Sequence, residues 1–248
     1  LELPILFDAL LLMVFSSTLA TYNLARFMAV RKMSAATKKS LWFGKHAFWT
    51  KVLLFSSSII CAIVFWMLKL EVQLVLVASA AITLLYSLPF IPKQGKLVRL
   101  RDIGLVKIFL IAFTYALSTS ILPLVNAAQP FRVTTCLMVL ERFLFVFALT
   151  LPFDIRDMRY DNKVGLSTIP LKVGIANTLK LAYVSLFFLA VLAVYLYSFN
   201  SVLCIALWSI YGITAFVVAQ TNLVQKDLFY TGLIDGLMVL SFLIVYMA

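Results

Sequence analysis

Asp154, Asp157 and Asp161 stand at i, i+3 and i+7 in LPFDIRDMRYDNKVGLSTIPLKVG, residues 151–174. If the preceding helix continues through them, this spacing sets three carboxylates along one side. Like charges so close repel one another, and a divalent cation relieves that repulsion. Oxygen ligands with no His or Cys nearby favour Mg2+, with Mn2+ as the substitute, over Zn2+. Mg2+ is commonly shared between one or two carboxylates and substrate phosphates. Arg156, Arg159, Lys163 and Lys172 flank the cluster with groups suited to phosphate oxygens. The plainer alternative is a solvated helix end of mixed charge.

The elements that must hold these residues are membrane spans. The chain has 248 residues, 64% hydrophobic and 12% charged, against roughly half and about a quarter in soluble proteins. Its net charge of +11 would suggest nucleic acid in a soluble chain. Here the apolar runs are too long for that, and the charge fits loops lying on anionic headgroups. A crossing helix needs about 20 residues. Apolar segments near 3–25, 50–68, 72–90, 104–124, 132–151, 175–197, 201–219 and 231–248 predict eight spans in one transmembrane helical domain, residues 1–248. Pro89, Pro123, Pro152 and Pro170 punctuate their ends.

Eighteen of the 21 basic residues fall in alternate connections: 26–51, 93–107, 156–180 and Lys226. These loops are expected to face the cytoplasm, with both ends of the chain on the other side. An additional helix ahead of residue 1 is therefore expected, giving nine. Cys61, Cys136 and Cys204 have neither disulfide nor metal spacing. No Gly-rich phosphate loop, zinc motif or serine elbow is present, and no inverted hydropathy repeat marks a transporter.

The stretch carrying Asp154, Asp157, Asp161, Gly165, Thr168 and Pro170 resembles the second aspartate-rich motif of the UbiA superfamily of intramembrane prenyltransferases. Tyr86-Ser87-Leu88-Pro89, followed by Lys93, resembles the tyrosine-serine-proline stretch that ends that family's fourth helix. The resemblance runs along essentially the whole chain. It implies a nine-helix bundle that moves an isoprenoid chain from a prenyl diphosphate to a hydrophobic or aromatic acceptor in the bilayer. It further implies that Asp154, Asp157 and Asp161 are catalytic and hold Mg2+. Aromatic residues can steady the allylic cation of such a reaction.

The first motif of that family departs here. Only Asn23 remains of N-D-x-x-D-x-x-x-D, with Leu24, Phe27 and Arg31 in place of the carboxylates. Two consequences compete. Arg26 and Arg31 bind the diphosphate directly, because guanidinium is always charged and grips phosphate at two points. Asn23, Tyr86, Lys93 and Arg99 then complete the diphosphate contacts. Alternatively, catalysis is lost and the cavity holds an anionic or phosphorylated lipid, or the chain serves as an assembly partner for another protein. The basic residues also suit topology alone.

Three further features stand apart. Glu141 and Arg142 lie mid-span, where an ionisable group marks either a polar link between helices or a functional site. Asp235 sits a few residues into the last span. Trp42, Phe43, Phe48 and Trp49 around His46, the only histidine, suggest an interfacial segment or a cap over a cavity.

Overall fold

The computed structural model describes residues 8–32, 46–87, 91–93, 96–98, 100, 103–163, 165–198, 200–223 and 225–248. Eight long helices follow one another: α1 Ala9–Lys32, α2 Ala47–Met67, α3 Leu70–Ser87, α4 Gly104–Asn126, α5 Val133–Lys163, α6 Ile169–Tyr197, α7 Ser201–Ala219 and α8 Phe229–Met247. A small antiparallel hairpin, β1 Ile91–Lys93 and β2 Lys96–Val98, stands between α3 and α4. Among the described residues, six helices rather than the eight expected are long and apolar enough to cross a membrane, and Ala9–Leu24 and Leu70–Tyr86 are shorter apolar stretches. The eight predicted segments thus each fall on a helix. Trp42, Phe43 and Arg99 lie outside the described residues, and the side chains of Arg26, Arg31 and Lys93 are likewise outside the description.

Contacts group the chain into two compact units: 1–78 with 122–129, and 79–121 with 130–248. In the first, Leu10, Met13, Val64, Leu68, Val72 and Leu122 form the core. Buried Ser16 and Ser57 let backbones approach, and each hydroxyl donates to a carbonyl of its own helix, Met13 O and Leu53 O. Asp8 caps α1 by accepting from Leu11 N at 2.9 Å. Its other carboxylate oxygen accepts from Asn126 Nδ2, and Lys69 donates to the Asn126 carbonyl at the end of α4. A cation at a helix C-terminus is favourably placed against the backbone dipole.

The core of the second unit mixes large side chains such as Phe145, Tyr211 and Tyr230 with fully buried Ala112, Ala148, Ala182 and Ala193, while Phe187 and Phe216 are about two-thirds exposed. The small residues let the helices approach closely, and large apolar groups outside gain nothing by leaving lipid. Glu141 of α5 accepts hydrogen bonds from Tyr197 of α6 at 3.0 Å and Tyr211 of α7 at 2.5 Å. Three helices are thereby joined through one carboxylate.

Pro152 does not end α5, contrary to the sequence expectation. The helix runs through it to Lys163. Proline deprives the Ala148 carbonyl of its usual donor, and the Thr150 hydroxyl donates to the adjacent Phe147 carbonyl at 2.8 Å. Neighbouring hydroxyls commonly relieve such breaks within membranes. At 31 residues, α5 is about 46 Å long, longer than the roughly 30 Å hydrocarbon layer. The aspartates lie in its last turns.

Gly165 stops α5. Its φ is +71°, and the Gly165 and Leu166 amides donate to the Asn162 and Asp161 carbonyls, the pattern of a left-handed helix terminus. Thr168 is the N-cap residue of α6 and Pro170 lies in its first turn. Helical geometry breaks again at Gly174, with φ 80° and ψ 165°, so α6 resumes near residue 175.

Gly104 opens α4 directly on the Ser167–Thr168 backbone, where a Cβ would collide with the Ser167 carbonyl. Gly104→Ala is expected to lower stability by about 1–3 kcal/mol, read as a lower unfolding midpoint of the purified protein. Gly212→Ala, where a Cβ meets open space, is the matched control and should leave the midpoint in place.

Candidate functional site

Asp154 is 1% exposed and forms a salt bridge with Lys107, Nζ to Oδ1, at 2.9 Å. Lys107 lies in the first turn of α4, three residues after the Gly104 contact. That close backbone approach holds the lysine against α5. The second oxygen of Asp154, Oδ2, is buried without a hydrogen-bond partner. Buried polar atoms are nearly always satisfied, so an orphan of this kind fits a ligand or cation.

Asp157 is turned aside from Asp154. Arg156 grips it at two points, Nε to Oδ1 at 2.7 Å and Nη2 to Oδ2 at 3.2 Å. The same guanidinium lies 5.2 Å from the Phe153 ring centre and 5.3 Å from that of Tyr230 on α8. The aromatic faces steady the cation, and through it the carboxylate. Asp161 is buried too, and its Oδ2 also lacks a partner. Burial pushes its carboxyl above the usual carboxylate range, with Lys107 opposing the shift and the Asp157 charge adding to it.

A cavity of about 240 Å3 opens beside these groups. Lys107, Asp154, Arg156 and Asp157 line it, together with Tyr115 of α4 and Asp235 of α8. Next to α4 and α5 lies a wholly apolar groove of about 470 Å3, walled by Phe109, Phe113 and Phe143. Among the described residues, no three His, Cys, Asp or Glu side chains converge closely enough to hold a metal ion by themselves. The geometry gives the reason: Asp154 is held by Lys107 and Asp157 by Arg156. The donor set nevertheless fits a hard cation, because two buried carboxylate oxygens are unsatisfied and every candidate ligand is oxygen.

The other predicted residues are placed as follows. Asn23 is buried on α1 in the first unit and donates from Nδ2 to the Leu19 carbonyl at 2.8 Å. Leu24 is 44% exposed. Tyr86 is half-buried at the end of α3, and Lys93 closes β1. Arg26 and Arg31 lie on α1. From sequence Lys107 stands among the loop cations after Tyr86, of which one or two are expected to reach phosphate; the structure pairs it with Asp154. A lone lysine within GLVKIFLIA was the available signal, since a charge at the start of an apolar helix requires a partner.

Breaking the Lys107 pair should be costly. Lys107→Met would leave a buried carboxylate without its cation, and a loss of about 3–5 kcal/mol is expected, measured as a lowered unfolding midpoint. Adding Asp154→Leu should restore most of it.

Comparison with known proteins places this geometry in a lineage. The model of the UbiA prenyltransferase family matches residues 43–228. A UbiA homologue from Archaeoglobus fulgidus, solved bound to GPP and Mg2+, is similar with a TM-score of 0.64 and 15% identity, over 97% of this chain and 89% of that one. The same homologue bound to DMAPP and Mg2+ gives 0.63 and 15%, over 98% and 89%. Its Cd2+-bound form gives 0.62 and 15%, over 97% and 88%. No curated protein matches the chain in sequence. At such identity the structures speak for the fold alone, but the family model covers most of the chain: it is an integral membrane protein belonging to the UbiA prenyltransferase family.

Proposed function

We propose that this protein transfers an isoprenoid chain from a prenyl diphosphate to a hydrophobic acceptor within the membrane, in dependence on Mg2+. The observation that carries the reading is Asp154: a carboxylate buried to 1% exposure, on a cavity wall, with one oxygen on Lys107 and the other unsatisfied. Family membership and the Archaeoglobus homologue bound to GPP or DMAPP with Mg2+ support it.

Asp154 and Asp157 would hold the metal, with Asp161 supporting it directly or through water. When bound, Mg2+ neutralises charge building on the departing diphosphate. Few carboxylates are needed, since diphosphate oxygens supply further ligands. Lys107 holds Asp154 in place and adds positive charge beside the cavity. Arg156 orients Asp157 and, against Phe153 and Tyr230, keeps that side of the cavity rigid. Diphosphate contacts on the same unit as the aspartates are assigned to Tyr86, Lys93 and Arg99. The apolar groove lined by Phe109, Phe113 and Phe143 suits a hydrocarbon chain. Charge asymmetry among the loops puts the aspartate end of α5 on the cytoplasmic side.

A second reading has its own support. Leu24, Phe27 and Arg31 stand where family members carry carboxylates, and no three metal-ligating side chains converge among the described residues. A protein that binds an anionic lipid without turnover would show both features.

Purified protein in nanodiscs, supplied with farnesyl or geranylgeranyl diphosphate and a range of hydrophobic acceptors, separates the two. Mg2+-dependent pyrophosphate release is expected, falling by about 100-fold or more in Asp157→Asn while the unfolding midpoint stays within a few degrees. Lipid that co-purifies and exchanges, with no release under any acceptor, would overturn transfer in favour of binding.

A further inference from the structure

The cavity beside Asp154 has a second polar end that the diphosphate chemistry does not use. Its ionisable lining comprises two cations and three carboxylates. Lys107 is occupied by Asp154 and Arg156 by Asp157. Asp235, in the first α-helical turn after residues 229–234 of α8, has neither hydrogen bond nor ion pair among the described residues. It is exposed, and the cation that acts on its charge, Arg156, is already engaged by Asp157. Tyr115 lines the same cavity from α4.

Backbone irregularity coincides with both residues. Leu117–Ile121 of α4 is π-helical and begins two residues after Tyr115. Phe229–Ile234 of α8 is π-helical and ends immediately before Asp235. These are the two π segments among the described residues. A π turn shifts the phase of a helix and is frequently found at functional sites. Two different helices are thus re-aimed beside one cavity, whose other wall carries the unsatisfied, nine-tenths-buried oxygen of Asp154.

We propose that Asp235 and Tyr115 form the acceptor end of this cavity and select an acceptor that presents a neutral hydroxyl over one that presents a carboxylate. The inference rests on the prenyl-transfer reading for the word acceptor, though not for the binding preference itself. A hydroxyl donates to the Asp235 carboxylate and accepts from the Tyr115 phenol, satisfying both. A carboxylate would meet Asp235 with no free cation nearby, since both lining cations are already paired. Like charges brought together disfavour a ligand. The diphosphate brings its own counter-ions, whereas an organic acid acceptor would not.

The test uses the full chain in nanodiscs, at about pH 7.5, with two tritiated probes of matched shape: 4-heptylphenol, neutral at this pH, and 4-heptylbenzoate, ionised. Saturable binding above that of empty nanodiscs is measured without metal or prenyl diphosphate. Wild type should bind the phenol about tenfold more tightly than the benzoate. Asp235→Asn, which keeps an accepting oxygen, should retain phenol binding and gain benzoate binding until the two lie within about threefold. Tyr115→Phe should weaken the phenol several-fold with an unchanged unfolding midpoint. Equal affinities in wild type, or an unchanged preference in Asp235→Asn, would overturn the proposal. Pyrophosphate release is assayed on parallel samples of the same preparations, supplied with Mg2+, prenyl diphosphate and the phenol as acceptor. The probe preference without any release upholds the hydroxyl-selecting site and overturns prenyl transfer, whereas release without the preference overturns only the selection.

Discussion

A carboxylate held at 1% exposure beside a hydrocarbon layer must have a positive partner or lose its charge. Asp154 has that partner in Lys107 at 2.9 Å, and much of the second unit is arranged so that the pair can form. Gly104 brings the start of α4 onto the Ser167–Thr168 backbone. Gly165 halts α5 and turns the chain toward α6. Passage of α5 through Pro152 carries Asp154 out of the apolar zone on an unbroken helix. Each of these places backbone, and together they determine where a charge can be buried without being stranded.

The pair is also incomplete, and that incompleteness separates a site from a structural bridge. A lysine satisfies one carboxylate oxygen; the other is left with nothing. A structural ion pair would be expected to satisfy both, as Glu141 does with Tyr197 and Tyr211. Glu141 lies 13 residues before Asp154, about 20 Å along α5, and is consumed by fold maintenance. The same helix therefore carries one finished polar contact and, further along, one open to a ligand.

Arg156 illustrates how charge is conserved locally. In sequence it is one of several cations flanking the aspartates and is suited to phosphate. In the structure it is divided between the Asp157 carboxylate and the faces of Phe153 and Tyr230. It is thus less available to an incoming anion than its sequence position implied. Its role shifts from gripping substrate to orienting a carboxylate, which is why positive charge beside the cavity does not translate directly into free anion-binding capacity.

The membrane class and the positions of the helical segments were legible because they depend on periodicity and length, although among the described residues six helices, not eight, are long and apolar enough to cross a membrane. Continuous apolar runs of crossing length admit few folds, and i, i+3, i+7 spacing sets a face once a helix exists. Gly165, Thr168 and Pro170 were legible as a motif, and their conformations explain why those residue types stand there. Pro152 misled, because whether proline ends a helix depends on the tertiary packing around it, and Pro152 lies in a buried stretch of α5. Lys107, Tyr115 and Asp235 were visible as residues but not as neighbours. They lie on α4 and α8, 47 and 81 residues from Asp154 for Lys107 and Asp235 respectively. Sequence by itself determined which side chains can ligate, repel or donate, since those are properties of residue type and local spacing. Which of them meet, and which oxygen is left unsatisfied, was decided only by tertiary structure, because pairing of buried charges depends on distances between helices that no local pattern encodes.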